Sequence, residues 1–217
     1  MKLIHCADIH LDSPMQTHMT AQQASVRNTE MLQSFVRLTE FAQERAVRAV
    51  LIAGDLFDGA RVRARTVDAL LAAIRRTPEV DYLYLPGNHD EAANAFCDCA
   101  LPENLKVFGK KWTTYRYDGI AISGAQLGLD AAFYEALPHT DGAVNLVMLH
   151  GGIGTACGED MINLNLLKNR GIDYLALGHI HSYQTGPLDE TGSYCYPGCL
   201  EGRGFDECGE KGFVLLT

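Results

Sequence analysis

Short apolar runs recur along the chain at residues 2–7, 49–53, 82–85, 144–149 and 173–177. Runs of this length that are apolar throughout, rather than alternating, read as strands of a sheet buried on both faces. Two other stretches follow a helical period. Over about residues 28–48, Met31, Leu32, Phe35, Leu38, Phe41 and Ala42 recur on one face, with Glu30 early and Arg45 and Arg48 late, as the helix dipole favours. Over about residues 64–76, Val67, Leu70, Leu71 and Ile74 share a face and Pro78 follows. Residues 113–124 read as a hairpin turning at Asp118-Gly119, residues 125–137 as a loop and short helix, and residues 212–217 as a final core strand. The pattern predicts one mixed α/β domain over residues 1–217, without internal repeats or a low-complexity linker.

Each of the five apolar runs gives way at once to a polar cluster. These are Asp8-Ile9-His10, Gly54-Asp55-Leu56-Phe57-Asp58, Gly87-Asn88-His89-Asp90, His150-Gly151-Gly152 and Gly178-His179-Ile180-His181. In an open α/β sheet the carboxyl ends of the strands share one edge, where ligands bind, so clusters distant in sequence can converge there. Residues two apart on extended chain share a face, which pairs Asp8 with His10 and His179 with His181. Any one cluster alone is close to noise, and an isolated histidine after a strand is more often structural than a ligand. Five in this order, all at strand ends, supply enough carboxylate, amide and imidazole groups to hold two divalent metals. The adjoining glycines let the chain turn sharply or approach a phosphate. No G-x-x-x-x-G-K-[ST] loop occurs, so the chain is not expected to hydrolyse ATP itself.

The order D-x-H, G-D-x-x-D, G-N-H-D, H, G-H-x-H, running from Asp8 to His181, resembles that of the calcineurin-like metallophosphoesterases. Within that superfamily the opening from Leu3 to Pro14, together with Gly54 to Asp58, is similar to the nuclease subunit of bacterial SbcD-type DNA repair exonucleases. Tyr196-Pro197-Gly198, Arg203 to Glu207 and Gly209 to Gly212 resemble the strand-turn-strand that closes the catalytic domain there.

The resemblance implies a four-layer α/β/β/α sandwich with the site at the strand carboxyl ends. It implies a first metal held by Asp8, His10 and His181, a second held by Asn88, His150 and His179, and Asp55 bridging the two. Mixed nitrogen and oxygen ligands suit manganese, iron or zinc better than calcium or magnesium, and the resemblance favours manganese. Two such ions acidify a water for attack on phosphorus and clamp the phosphate oxygens. His89 is then expected to face the leaving oxygen as general acid, oriented by Asp58. DNA is the implied substrate. Full-length nuclease subunits of this kind continue into a DNA-contacting cap and a segment that binds an SMC-like ATPase subunit, both missing from this sequence. A homodimer is compatible with the resemblance.

Composition changes this picture in one respect. With 47% apolar and 21% charged residues the 217-residue chain suits an ordinary globular domain, but its net charge is −9. Two divalent ions, at +2 each, bring −9 only to −5, whereas nucleic-acid-binding domains are usually basic. Arg61, Arg63 and Arg65, spaced by two after the Asp55 loop, are candidates to meet phosphates, or simply a solvated entry to a helix. Seven cysteines, an odd number without C-x-x-C spacing, read as reduced thiols, with Cys6 in the core. His5, His18 and His139 fall outside the clusters and read as structural or surface residues. No apolar stretch approaches the roughly 20 residues of a membrane span, and the N-terminal run is too short and polar for a signal peptide, which predicts a cytoplasmic protein. Two alternatives remain: a phosphodiesterase or phosphatase acting on small or nucleotide substrates, and a non-enzymatic scaffold on a degenerate phosphoesterase fold. The second is disfavoured, because none of the implied ligands is lost.

Overall fold

A computed structural model describes residues 1–15, 19–59, 62–90, 96, 99–128, 130–158, 160–204 and 207–217. His18, Arg61 and Phe205 with Asp206, all singled out in the sequence, lie outside the described residues. The chain runs β1 (Lys2–Cys6), α1 (Ala21–Glu44), β2 (Val47–Ala53), α2 (Ala64–Arg75), β3 (Asp81–Leu85), β4 (Leu105–Val107), β5 (Thr113–Tyr117), β6 (Ile120–Gly124) and α3 (Ala131–Glu135). It continues through β7 (Val144–His150), β8 (Gly152–Gly154), β9 (Met161–Asn163), β10 (Tyr174–Gly178), β11 (Gln184–Pro187), β12 (Ser193–Tyr196) and β13 (Val214–Leu216).

Two sheets face each other. One has the order β13-β1-β2-β3-β4, with β1 to β4 parallel and β13 antiparallel at the edge. The other has the order β11-β12-β10-β7-β6-β5, parallel through β12-β10-β7-β6 and antiparallel at both edges. Alternate residues of the parallel strands point between the sheets, where Leu3, Leu51 and Leu83 meet Ile122, Leu146 and Met148. The opposite faces are equally apolar. Ile4, Val50, Ile52 and Tyr82 pack under Phe35, Leu38, Leu70 and Ile74 of α1 and α2, while Val147, Leu149, Leu175 and Leu177 pack under Tyr134 of α3 and Ile162. Helix, sheet, sheet and helix make the four layers expected, the last of them thin. Burial on both faces explains why these strands lack alternation in the sequence.

Two boundaries differ from the sequence reading, each for a local reason. Helix α1 begins at Ala21 rather than near residue 28, because Thr20 and Gln23 form a capping box that satisfies the first backbone donors. It stops at Glu44 because Ala46 adopts a left-handed φ of 50°, which turns Val47 and Arg48 into β2. The closing segment also departs from a simple strand-turn-strand. β12 and β13 belong to different sheets, so the chain between them crosses from one sheet to the other. No helix among the described residues is long and apolar enough to cross a membrane.

Phe35 is fully buried where α1 meets β3, its ring 6.4 Å from that of Tyr82. Phe35→Ala is expected to destabilise the fold by about 3–5 kcal/mol, through lost transfer energy and the cavity left behind. Denaturant unfolding measures this, and a loss below about 1 kcal/mol contradicts the packing described.

Candidate metal centre

The parallel strands of both sheets deliver their carboxyl ends to one edge, and the turns leaving β1, β2, β3, β7 and β10 meet there. Pairing continues past the strands: Asp8 N–H donates to Gly54 O at 3.1 Å, His10 N–H to Asp55 O at 2.9 Å and Leu11 N–H to Leu56 O at 2.9 Å. Asp8, His10, Asp55 and His179 all sit at positive φ, between 49° and 104°. A non-glycine residue in this region costs on the order of 1 kcal/mol or more and persists only where the surroundings hold it. Gly54 (φ 93°) and Gly178 make room for the imidazole of His150. A Cβ on Gly54 would lie 1.9 Å from His150 Nδ1, and one on Gly178 would lie 1.8 Å from Ala53 O, the carbonyl that ring binds.

The donor atoms gather around the buried carboxylate of Asp55. On one side, His150 Nδ1–H donates to Ala53 O at 2.9 Å, which leaves Nε2 a lone pair. That lone pair faces Asn88 Oδ1 at 2.9 Å and Asp55 Oδ2 at 3.3 Å. Three electron-rich atoms in contact require a cation or a proton between them. On the other side, His10 Nε2 and His181 Nε2 stand 3.1 Å apart, and the same Asp55 Oδ2 is 3.8 Å from His10 Nε2. Two nitrogens each about 2.1 Å from one ion and set near a right angle are roughly 3 Å apart, so this spacing suits shared ligation. His10 is fully buried; its Nδ1 makes no hydrogen bond, and its Nε2 faces His181 Nε2 and Asp55 Oδ2. Single atoms of Asp8, His10 and His181 lie within 4.8 Å of one another, as do those of Asp8, Asp55 and His150. The residues present therefore fit two cations that share Asp55.

Electrostatics agree with the geometry. Burial pushes the Asp8 carboxyl up to about 7 against the pull of His150. Burial, reinforced by the charge of Arg203, lowers His10 to about 3 and keeps its imidazole neutral. Asp55 resists burial because His150 and His10 draw it down to about 2. His179 is lowered by burial and by the neighbouring His150.

The structure brings Asp8, His10, Asp55, Asn88, His150 and His181 into this arrangement. His179 joins less directly: its N–H donates to both Asp8 oxygens at 2.9 and 3.1 Å, and its ring stands 5.4 Å from that of His150. His89 stands at the mouth, its side chain 49% exposed and its N–H donating to Asp55 Oδ1 at 3.0 Å. Its Nδ1 lies 3.2 Å from Asp58 Oδ1. Asp58 is in turn held by Ser13 Oγ at 2.7 Å and Arg203 Nη1 at 3.1 Å.

Three residues were missed or misread in the sequence. Asp90 accepts the N–H groups of Leu56, Phe57 and Gly87 at 3.1, 2.8 and 2.9 Å, stapling the Asn88 loop to the Asp55 loop. Its place at the end of Gly-Asn-His-Asp was the available signal. Arg203 falls in the closing segment marked by the resemblance, but nothing in the sequence ties its side chain to the centre. Arg63, a candidate phosphate contact, is instead engaged by Asp12, which accepts from its backbone N–H at 2.7 Å and its Nε at 2.8 Å. Arg65 lines a shallow cavity with Asn28, Leu32 and Thr66 beside α1.

A family model described as calcineurin-like phosphoesterase matches residues 1–183. The chain is 28% identical to the uncharacterized metallophosphoesterase YhaO of Bacillus subtilis, over all of this chain and 57% of that protein. It is 26% identical to the DNA double-strand break repair protein Mre11 of Methanopyrus kandleri, over all of this chain and 54% of that protein. The chain thus spans about half the length of these relatives. In fold it resembles a dimetal phosphatase from Danio rerio with a TM-score of 0.62 at 11% identity, over 99% of this chain and 91% of that one.

His150 carries a pH signature. Burial opposes its charge, but Asp55, with Asp8 behind it, lifts its pKa from 6.5 to about 9. The folded value exceeds the unfolded one, so this proton stabilises the metal-stripped fold fully below pH 6.5, and the gain is lost as pH rises through about 9. Metal-stripped protein is therefore expected to lose more stability across that window than a His150→Gln variant does. Equal losses in denaturant titrations contradict the pairing.

Proposed function

The chain belongs to the calcineurin-like phosphoesterase family, and from that premise we propose that it cleaves phosphodiesters of DNA at a centre of two divalent metals, manganese foremost. The single observation that carries the two-ion reading is that one atom, Asp55 Oδ2, lies 3.3 Å from His150 Nε2 and 3.8 Å from His10 Nε2, and so is reached from both nitrogen clusters. Asp8, His10 and His181 hold the first ion in this reading, Asn88, His150 and His179 the second, and Asp55 bridges. The ions supply an activated water and a clamp for the phosphate oxygens.

The chain's own residues supply the rest. Asp55 binds on both sides while its Oδ1 accepts the His89 N–H, tying the leaving-group side to the bridge. Asp58 accepts from His89 Nδ1–H and orients the ring, so that the doubly protonated imidazole can hand its Nε2 proton to the departing oxygen and end neutral. The exposure of Asn88 and His89 supports access by a long substrate. DNA is supported by the Mre11 relatives and by the SbcD-type resemblance, and an SMC-like ATPase subunit and a homodimer belong to the proposal on that resemblance alone.

A second reading, a phosphodiesterase or phosphatase for small or nucleotide substrates, is favoured by the net charge of −9 and by the engagement of Arg63 with Asp12. A substrate panel decides between them. Faster cleavage of DNA than of small nucleotides, falling steeply with salt, supports the nuclease reading. Small nucleotides hydrolysed orders of magnitude faster than any DNA support the second.

Asp55→Asn is expected to weaken metal binding on both sides and to reduce hydrolysis severely, and chelation of the unaltered protein to abolish activity that manganese restores. Full activity in metal-stripped protein contradicts the two-ion reading. His89→Ala is expected to keep both metals and lose about 10²–10⁴-fold in rate, less on p-nitrophenyl esters whose leaving group needs no proton. Equal losses on p-nitrophenyl esters and on DNA contradict the role given to His89.

A further inference from the structure

The segment that crosses between the sheets after β12 lies beyond the part of the chain matched by the family model, which ends at residue 183. It nevertheless meets the centre. Glu207 Oε1 accepts from His181 Nδ1–H at 2.6 Å. Arg203 grips the same carboxylate from its backbone N–H at 2.7 Å, its Nε at 3.1 Å and its Nη2 at 2.8 Å, and reaches Asp58 Oδ2 with Nη1 at 3.1 Å. The His181 carbonyl is held as well, by Cys199 N–H at 3.3 Å and Lys211 Nζ at 3.2 Å. The segment is itself anchored on α1, where Ser34 Oγ donates to Glu201 Oε1 at 2.6 Å.

We infer that Glu207 and Arg203 are positioning residues of the centre: Glu207 fixes the tautomer and direction of His181, and Arg203 locks Glu207 to the Asp58 that orients His89. The inference rests on the two-ion reading above. Its physical basis is direct. A carboxylate accepting the Nδ1–H of an imidazole commits the lone pair to Nε2, the nitrogen facing His10, and makes that nitrogen a better donor to a metal. His181 and Arg203 together direct four hydrogen bonds at the Glu207 carboxylate, which fixes its place. Arg203 is well suited to the bridge because its planar fork offers donors in fixed directions to two carboxylates at once, whereas lysine is a compact charge on a flexible stem.

The test is a manganese titration of metal-stripped protein, followed by electron paramagnetic resonance and calorimetry, with thermal stability measured in parallel. Glu207→Ala is expected to weaken one of two equivalents by about 10–100-fold and leave the other within about twofold. Glu207→Gln, which keeps shape and an acceptor but not the charge, is expected to fall between Glu207→Ala and the unaltered protein, and it decides the matter if the alanine variant does not fold. Arg203→Met should weaken the same equivalent and add little to Glu207→Ala, since it acts through Glu207. Glutamine and alanine variants that bind both equivalents like the unaltered protein overturn the inference, as does equal weakening of both, which is the mark of a merely structural staple. Failure of the unaltered protein to bind two ions overturns the two-ion reading instead.

Discussion

A carboxylate shut away from water must be matched by positive charge or by hydrogen bonds, and Asp55 is 1% exposed. One of its oxygens takes the His89 N–H, and the other is left to the imidazoles of His10 and His150. Both imidazoles turn Nε2 toward it, and Asn88 adds a further oxygen. Such a collection becomes favourable around a cation or a proton. In the absence of metal a proton on His150 takes part of that role, which explains why the same geometry raises the His150 pKa.

The fold is arranged to hold these groups against their own repulsion. Strands buried on both faces are stiff, and their parallel order brings five carboxyl ends to one edge. The turns that follow carry left-handed backbone at Asp8, His10 and Asp55, retained by the hydrogen bonds between β1 and β2 past their ends, and at His179, whose N–H is held by the Asp8 carboxylate. Asp90 fastens the Asn88 loop to the Asp55 loop, and the segment carrying Arg203 and Glu207 closes the side occupied by His181. Rigidity at the edge is what converts a set of polar turns into a site of fixed geometry.

Much of this is legible in the residues alone. The apolar runs mark the strands because burial on both faces leaves an unbroken signature, and the polar clusters lie at their ends because that is where side chains escape the sheet. The start of α1 is readable from Thr20 and Gln23, but apolar periodicity outweighs the cap and draws the boundary to residue 28. Contacts between distant residues are not readable. Nothing in the spacing of Arg63 shows that Asp12 accepts its hydrogen bonds, nor does the sequence show that Arg203 spans Glu207 and Asp58. Left-handed backbone at aspartate and histidine is invisible for a related reason, since the surroundings impose it and residue type does not announce it.

In the two-ion reading proposed above, Asp55 stands between two cations, which anomalous diffraction at the manganese edge from crystals of reconstituted protein locates. Two peaks are expected, one among Asp8, His10 and His181, the other among Asn88, His150 and His179, with the Asp55 carboxylate touching both. A single peak, or metal bound elsewhere with Asp55 touching none, would contradict that reading.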